Sequence, residues 1–239
     1  MNGFDLRIIL FLNSFARRSW TFDWLVSVLD GNYLVKGGVM TALLMWAWFT
    51  EDDAIERRRA RIVSGLFATC AAVLFARAVS FAFPFRGRVI YDPVVHFRPP
   101  FSVEGHDLTG WWTSFPSDNA VLFFALAATV FVASRRLGLV AYAHAIITVA
   151  FARVYLGIHH PTDILGGAVI GVAMVHLAQL PSVQSRIVNI PMALLVDRPQ
   201  VFYPLLFVVL LAISTVFDPV FALGHAAREI ASQWRMPRG

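Results

Sequence analysis

Apolar stretches long enough to cross a hydrocarbon layer recur along this chain, at residues 34–49, 62–83, 119–134, 137–155, 161–180 and 201–217, with polar segments between them. A layer about 30 Å thick takes roughly 17–25 residues of helix. Because every backbone amide in hydrocarbon must be bonded within its own segment or in a closed barrel, and the alternation of a barrel strand is absent, the stretches predict helices. The expected fold is an all-α membrane protein with about six transmembrane helices in a bundle. With 58% hydrophobic and only 15% charged residues, 239 residues do not conceal this much apolar surface in one soluble core. Residues 1–33 read as an interfacial amphipathic segment, since Asn13, Arg17, Arg18 and Asp23 interrupt its apolar residues. Asp5 precedes the apolar run 8–12 and two arginines follow it, the wrong order for a cleavable leader. Residues 34–217 form the transmembrane domain, and residues 218–239 an amphipathic tail.

Twenty basic residues against fifteen acidic ones give a net charge of +5, and Lys36 is the only lysine. In a soluble chain this excess of arginine points to nucleic acid. Here hydropathy removes that reading, leaving the positive-inside tendency and anion recognition by planar guanidinium groups. Between the spans, one side carries Arg57, Arg58, Arg59, Arg61, Arg135, Arg136, Arg186 and Arg198, and the other Arg86, Arg88, Arg98 and Arg153. The richer side is expected to face the cytoplasm, although Glu51, Asp52, Asp53 and Glu56 share one of its loops. That places the chain in the cell's inner (plasma) membrane with the second group of arginines facing the periplasm or exterior. A lone Cys70 excludes an intrachain disulfide.

Two segments on that second face hold residues that helices bordering hydrocarbon rarely carry without a use. In residues 153–163, Arg153 stands at one helix exit and His159 just before the next helix entry, with Pro161 suited to a first helical position. Asp163 reaches back toward the imidazole, fixing its tautomer and stabilising its cation, so that the other ring nitrogen is free to attack phosphorus. Arg153 suits a bidentate hold on phosphoryl oxygens. A helix-cap pair with Arg153 reaching to lipid headgroups is the alternative for the same residues. In residues 115–120, Ser117 caps a helix whose first amides point toward an anion, with Asp118 and Asn119 in the first turn. A plain cap explains that segment equally well. Arg77, Arg86 and Arg88 bring further guanidiniums to this end. His160, beside the expected nucleophile, is a second candidate acid, while His144 reads as a polar helix contact. His96, His106, His176 and His225 match no motif. No cluster has zinc-ligand spacing, and no cofactor is implied. Trp111 and Trp112 read as interface anchors.

With these residues in view, the sequence resembles the type 2 phosphatidic acid phosphatase superfamily over roughly residues 77–175. Its motif of Ser-Arg, five residues, His, three residues, Asp is matched by Ala152, Arg153, His159 and Asp163, the Ser alone being replaced. Its Pro-Ser-Gly-His motif corresponds to Pro116, Ser117, Asp118 and Asn119, without the histidine, and its Lys, six residues, Arg-Pro motif is loosely similar to Arg77, Arg86 and Arg88. The resemblance implies a metal-independent enzyme on a lipid phosphate or pyrophosphate. In it His159 attacks, Asp163 supports, and Arg86, Arg88, Arg153 and Ser117 bind the phosphoryl group. Asn119 stands where the family has the acid that protonates the departing oxygen. A phosphate leaving group needs that acid far less than an alkoxide does, which favours a pyrophosphate substrate. A phosphotransferase with a lipid or sugar acceptor, and an inactive lipid-phosphate binder, are the competing readings. The lipid and the oligomeric state are not legible.

Overall fold

A computed structural model of the chain describes residues 1–93, 95–100 and 113–215, so Trp111, Trp112, His106 and the tail at 218–239 lie outside the described residues. Nine helices and no strand occur among the described residues. Helices α1 (Gly3–Asn13) and α2 (Trp20–Gly31) open the chain, capped by the Asn2 and Ser19 side chains. The spans α3 (Leu34–Phe49), α4 (Ile55–Ala82), α5 (Asp118–Ala133), α6 (Arg135–Tyr155) and α7 (Pro161–Ala178) follow. Then come α8 (Pro181–Asp197) and α9 (Pro199–Ser214). Helices α4, α6 and α7 are long and apolar enough to cross a membrane, and α3, α5 and α9 are shorter apolar helices. The expected all-α bundle is what forms.

One reading needs correction. Residues 181–199, expected to be a loop, are almost entirely helical. Pro181 supplies a preset first helical residue, and Val183, Ile187, Ile190 and Leu194 recur at helical spacing on one face.

The bundle is organised around α5, which is buried on nearly every side from Ala120 to Val130. Small residues let α7 come close to it. A Cβ on Gly171 would stand 2.3 Å from the Val121 carbonyl oxygen, and one on Gly167 2.7 Å from that of Ser117, so any larger residue separates the two helices. This contact fixes the start of α7 beside the start of α5. Helix α4 runs toward the same end, and α6 reaches it through an i→i+5 stretch, Ile146–Phe151. The N-terminal helices pack there too, Asn13 exchanging hydrogen bonds with the backbone of Arg98 at 2.7 and 2.9 Å.

Candidate active site

The site forms where α6 ends, α7 begins and the segment before α5 crosses between them. The chain turns at Gly157, whose φ of +72° favours glycine, and the Gly157 carbonyl accepts from Ile90 N at 3.0 Å. His159 and His160 follow, both buried. His159 Nδ1 lies 2.9 Å from the Ser114 carbonyl oxygen. A carbonyl only accepts, so the imidazole carries its proton on Nδ1 and leaves the Nε2 lone pair bare.

Asp163 stands somewhat apart from that ring. Its Oδ2 is 3.6 Å from His159 Nδ1, an ion-pair separation rather than a hydrogen bond, and instead accepts from His160 N at 2.9 Å and lies 3.1 Å from His160 Nδ1. Orientation of His159 therefore belongs to Ser114, and the wholly buried Asp163 carboxylate acts on it through its charge. Burial, with the positive potential of Arg153 and Arg88, pushes His159 down to about 4 against the pull of Asp163. Its imidazole is neutral at neutral pH, the form a nucleophile needs.

The arginines divide into two sets. Arg86 is committed within the protein: Nη1 donates to Asp163 Oδ1 at 2.6 Å and Thr162 Oγ1 at 2.8 Å, and Nη2 to Asp5 Oδ2 at 2.7 Å. Arg77 pairs with Asp118 at 2.5 Å. Arg153 is held by Asp30 of α2 at 3.0 Å, but its buried Nε has no partner among the described residues. Nor has the buried Nε of Arg88, a group that burial and the neighbouring Arg153 push down from its ordinary value. Two guanidiniums crowded near a neutral imidazole with donors unused make a place for an anion. Ser117 caps α5, accepting from Ala120 N at 3.4 Å, and donates its own backbone N–H to the Asp163 carbonyl at 3.2 Å. The buried Asn119 Oδ1 is also unpartnered. Turning that amide would present a donor in the same place.

Sequence reasoning missed three side chains. Asp5, wholly buried on α1, accepts from Thr162 N at 2.9 Å and Thr162 Oγ1 at 2.7 Å besides Arg86. Lys36 is buried too, bonding Asp30 through both its backbone carbonyl and its carboxylate, so Asp30 serves two cations. An ionisable residue inside an apolar span was the available signal for Lys36. For Asp5 the only signal was an acid opening an apolar run. His144, on α6, meets the Lys36 carbonyl at 3.1 Å, the polar helix contact expected of it.

Asp5 makes a specific prediction. Asp5→Asn keeps the shape but removes one of the two carboxylate charges that hold Arg86, loosening the guanidinium that also donates to Asp163. Turnover is expected to fall about tenfold or more with little change in KM, as for the loss of other supporting contacts. Unchanged kcat in steady-state assays would remove α1 from the site.

A helical bundle with several spans, in which a neutral buried imidazole lies beside under-partnered arginines and a buried carboxylate, is a membrane protein equipped to hold an anion next to a nucleophile. Residues 89–184 match the PAP2 superfamily model, so the chain carries a PAP2-superfamily region. That region includes Ser117, Asn119, Arg153, His159 and Asp163, while Arg77, Arg86 and Arg88 lie before it. The chain is also similar to the bacitracin transport permease protein BcrC of Bacillus licheniformis, 36% identical over 63 residues. That match covers 25% of this chain and 29% of the relative. No solved structure matches the chain.

Proposed function

We propose that the chain is a membrane lipid phosphatase acting on a polyprenyl pyrophosphate or related lipid phosphate through a phosphohistidine. The observation that carries this reading is His159 itself, neutral and held through Nδ1 by the Ser114 carbonyl, with Arg88 and Arg153 acting on it. Nε2 attacks the terminal phosphorus, and the bond to the bridging oxygen breaks with its electron pair going to the leaving phosphate. The cation formed on His159 is stabilised by Asp163. Arg88 and Arg153 neutralise charge on the transferring group, so the reading asks no metal to do so. Water then attacks the phosphohistidine, releasing inorganic phosphate and restoring the imidazole.

Purified protein in detergent is expected to release inorganic phosphate from a polyprenyl pyrophosphate in the presence of chelator. Loss of activity on chelation, restored by zinc or magnesium, would overturn the mechanism.

Asn119 supports a second reading, a phosphotransferase in which a lipid or sugar hydroxyl replaces water. Histidine labelling without hydrolysis until an acceptor hydroxyl is added would favour it.

The site is further proposed to face the periplasm or exterior, since the larger group of inter-span arginines lies at the other end. Single cysteines in a Cys70-free background test this. Phe85→Cys, at an exposed position on the His159 side, should react with impermeant reagent in intact cells and Arg57→Cys only after permeabilisation, and the reverse pattern would invert the topology.

A further inference from the structure

At the end of the bundle away from His159, where α4 begins, α5 ends, α6 begins and α7 ends, lies a cavity of about 530 Å³ lined by Arg61, Arg135, His176, Gln179 and Gln184 among others. We propose that it is a second anion site, which takes a phosphate group and is placed to take it from the headgroup of an anionic phospholipid.

Its wall is organised before any ligand arrives. Arg61 Nη1 donates to the Val132 carbonyl at 3.1 Å, which ties the start of α4 to the last turn of α5. Gln179 Nε2 donates to Ser64 Oγ at 3.1 Å, and Gln184 Nε2 to Gln179 Oε1 at 3.0 Å. No carboxylate lines the cavity, and among the described residues no ion pair satisfies Arg61 or Arg135. Two guanidiniums, an imidazole and amide groups around one space select an anion, and a phosphate offers oxygens enough for all of them. The surroundings select the source. Leu177, Leu180 and Val183, on the turns beside the cavity, are exposed apolar residues that suit acyl chains, while Arg61 and Arg135 stand near the ends of apolar helices, where a span meets the headgroups. The cavity between α4, α8 and α9, by contrast, is lined by Phe67, Cys70, Pro191, Phe202 and other apolar residues and offers an anion nothing.

The test is thermal unfolding of the full chain in nanodiscs of phosphatidylcholine, with and without a fraction of phosphatidylglycerol, and in neutral detergent with inorganic phosphate. Phosphatidylglycerol is expected to raise Tm by about 3–6 °C. Arg61→Gln combined with Arg135→Gln should lose that rise, whereas Arg88→Gln with Arg153→Gln should keep it, which separates this cavity from the active site. If the double variant does not fold, the exposed Arg135→Gln alone should lose part of the rise. An equal rise from inorganic phosphate alone supports the anion site and makes soluble phosphate its source. No rise in the native chain with either ligand, or a rise that survives loss of Arg61 and Arg135, overturns the proposal.

Discussion

His159→Ala is expected to reduce turnover to background, a loss of at least about a thousandfold, because it removes the nitrogen to which the proposed mechanism assigns the attack. His160, whose Nδ1 and backbone N–H both face Asp163, also has its Nε2 bare, so turnover that survives in His159→Ala would move the attack to His160. The pH profile of the native protein carries the same information. Burial and the arginines push His159 down to about 4, so the reactive neutral form persists below the ordinary histidine value of about 6.5 and is lost only as pH falls through the lower one. The acid limb of kcat/KM, which reports the free enzyme, should accordingly lie well below the ordinary range. Bound phosphate adds negative charge beside the ring, so the limb of kcat should lie higher. The stability sign is the same: between about 4 and 6.5 the unfolded chain binds the extra proton, so the native state loses stability as pH falls across that window. A kcat/KM limb at the ordinary histidine value would contradict the buried, neutral state described for this ring.

Asn119→His should accelerate cleavage of a lipid monophosphate by about 100- to 10,000-fold while changing pyrophosphate cleavage much less. The asymmetry comes from the leaving group. An alkoxide must be protonated as it departs, whereas a phosphate leaves as the base of a much stronger acid. Asn119 opens α5 next to Asp118 and Ser117, and its buried Oδ1 is unpartnered, so a ring placed there meets no competing hydrogen bond among the described residues. Both lipids must be compared in one detergent at several pH values. If the native protein already cleaves monophosphate as fast as pyrophosphate, Asn119 is not a missing acid and His160 becomes the candidate donor.

Much of the bundle was legible because hydrocarbon imposes a simple rule, and the apolar runs fell where α3 to α7 and α9 lie. Helix α8 was not, since Arg186, Asn189 and Pro191 break its apolar character without preventing an amphipathic helix. Local spacing was informative wherever the fold gathered neighbours in sequence, as with Arg153, His159 and Asp163, which lie together. It was blind to pairings made by the fold. Nothing in a Pro-Phe-Arg-Gly-Arg turn says that Arg86 will bind Asp5, some eighty residues earlier, while a nitrogen of Arg88 finds no partner among the described residues. Nor does spacing say that a backbone carbonyl, at Ser114, rather than Asp163 will hold the His159 ring.

The most direct measurement is chemical trapping of the intermediate. Purified protein mixed briefly with radiolabelled lipid pyrophosphate and quenched in alkali, where phosphohistidine survives and acyl phosphate does not, would be digested and the label located by mass spectrometry. The account predicts label on His159, absent from His159→Ala and accumulating when water attack is slowed. Label on serine, label recovered from a parallel acid quench but not from alkali, as an acyl phosphate would give, or steady turnover with no protein-bound phosphate in either quench at any time, would contradict it.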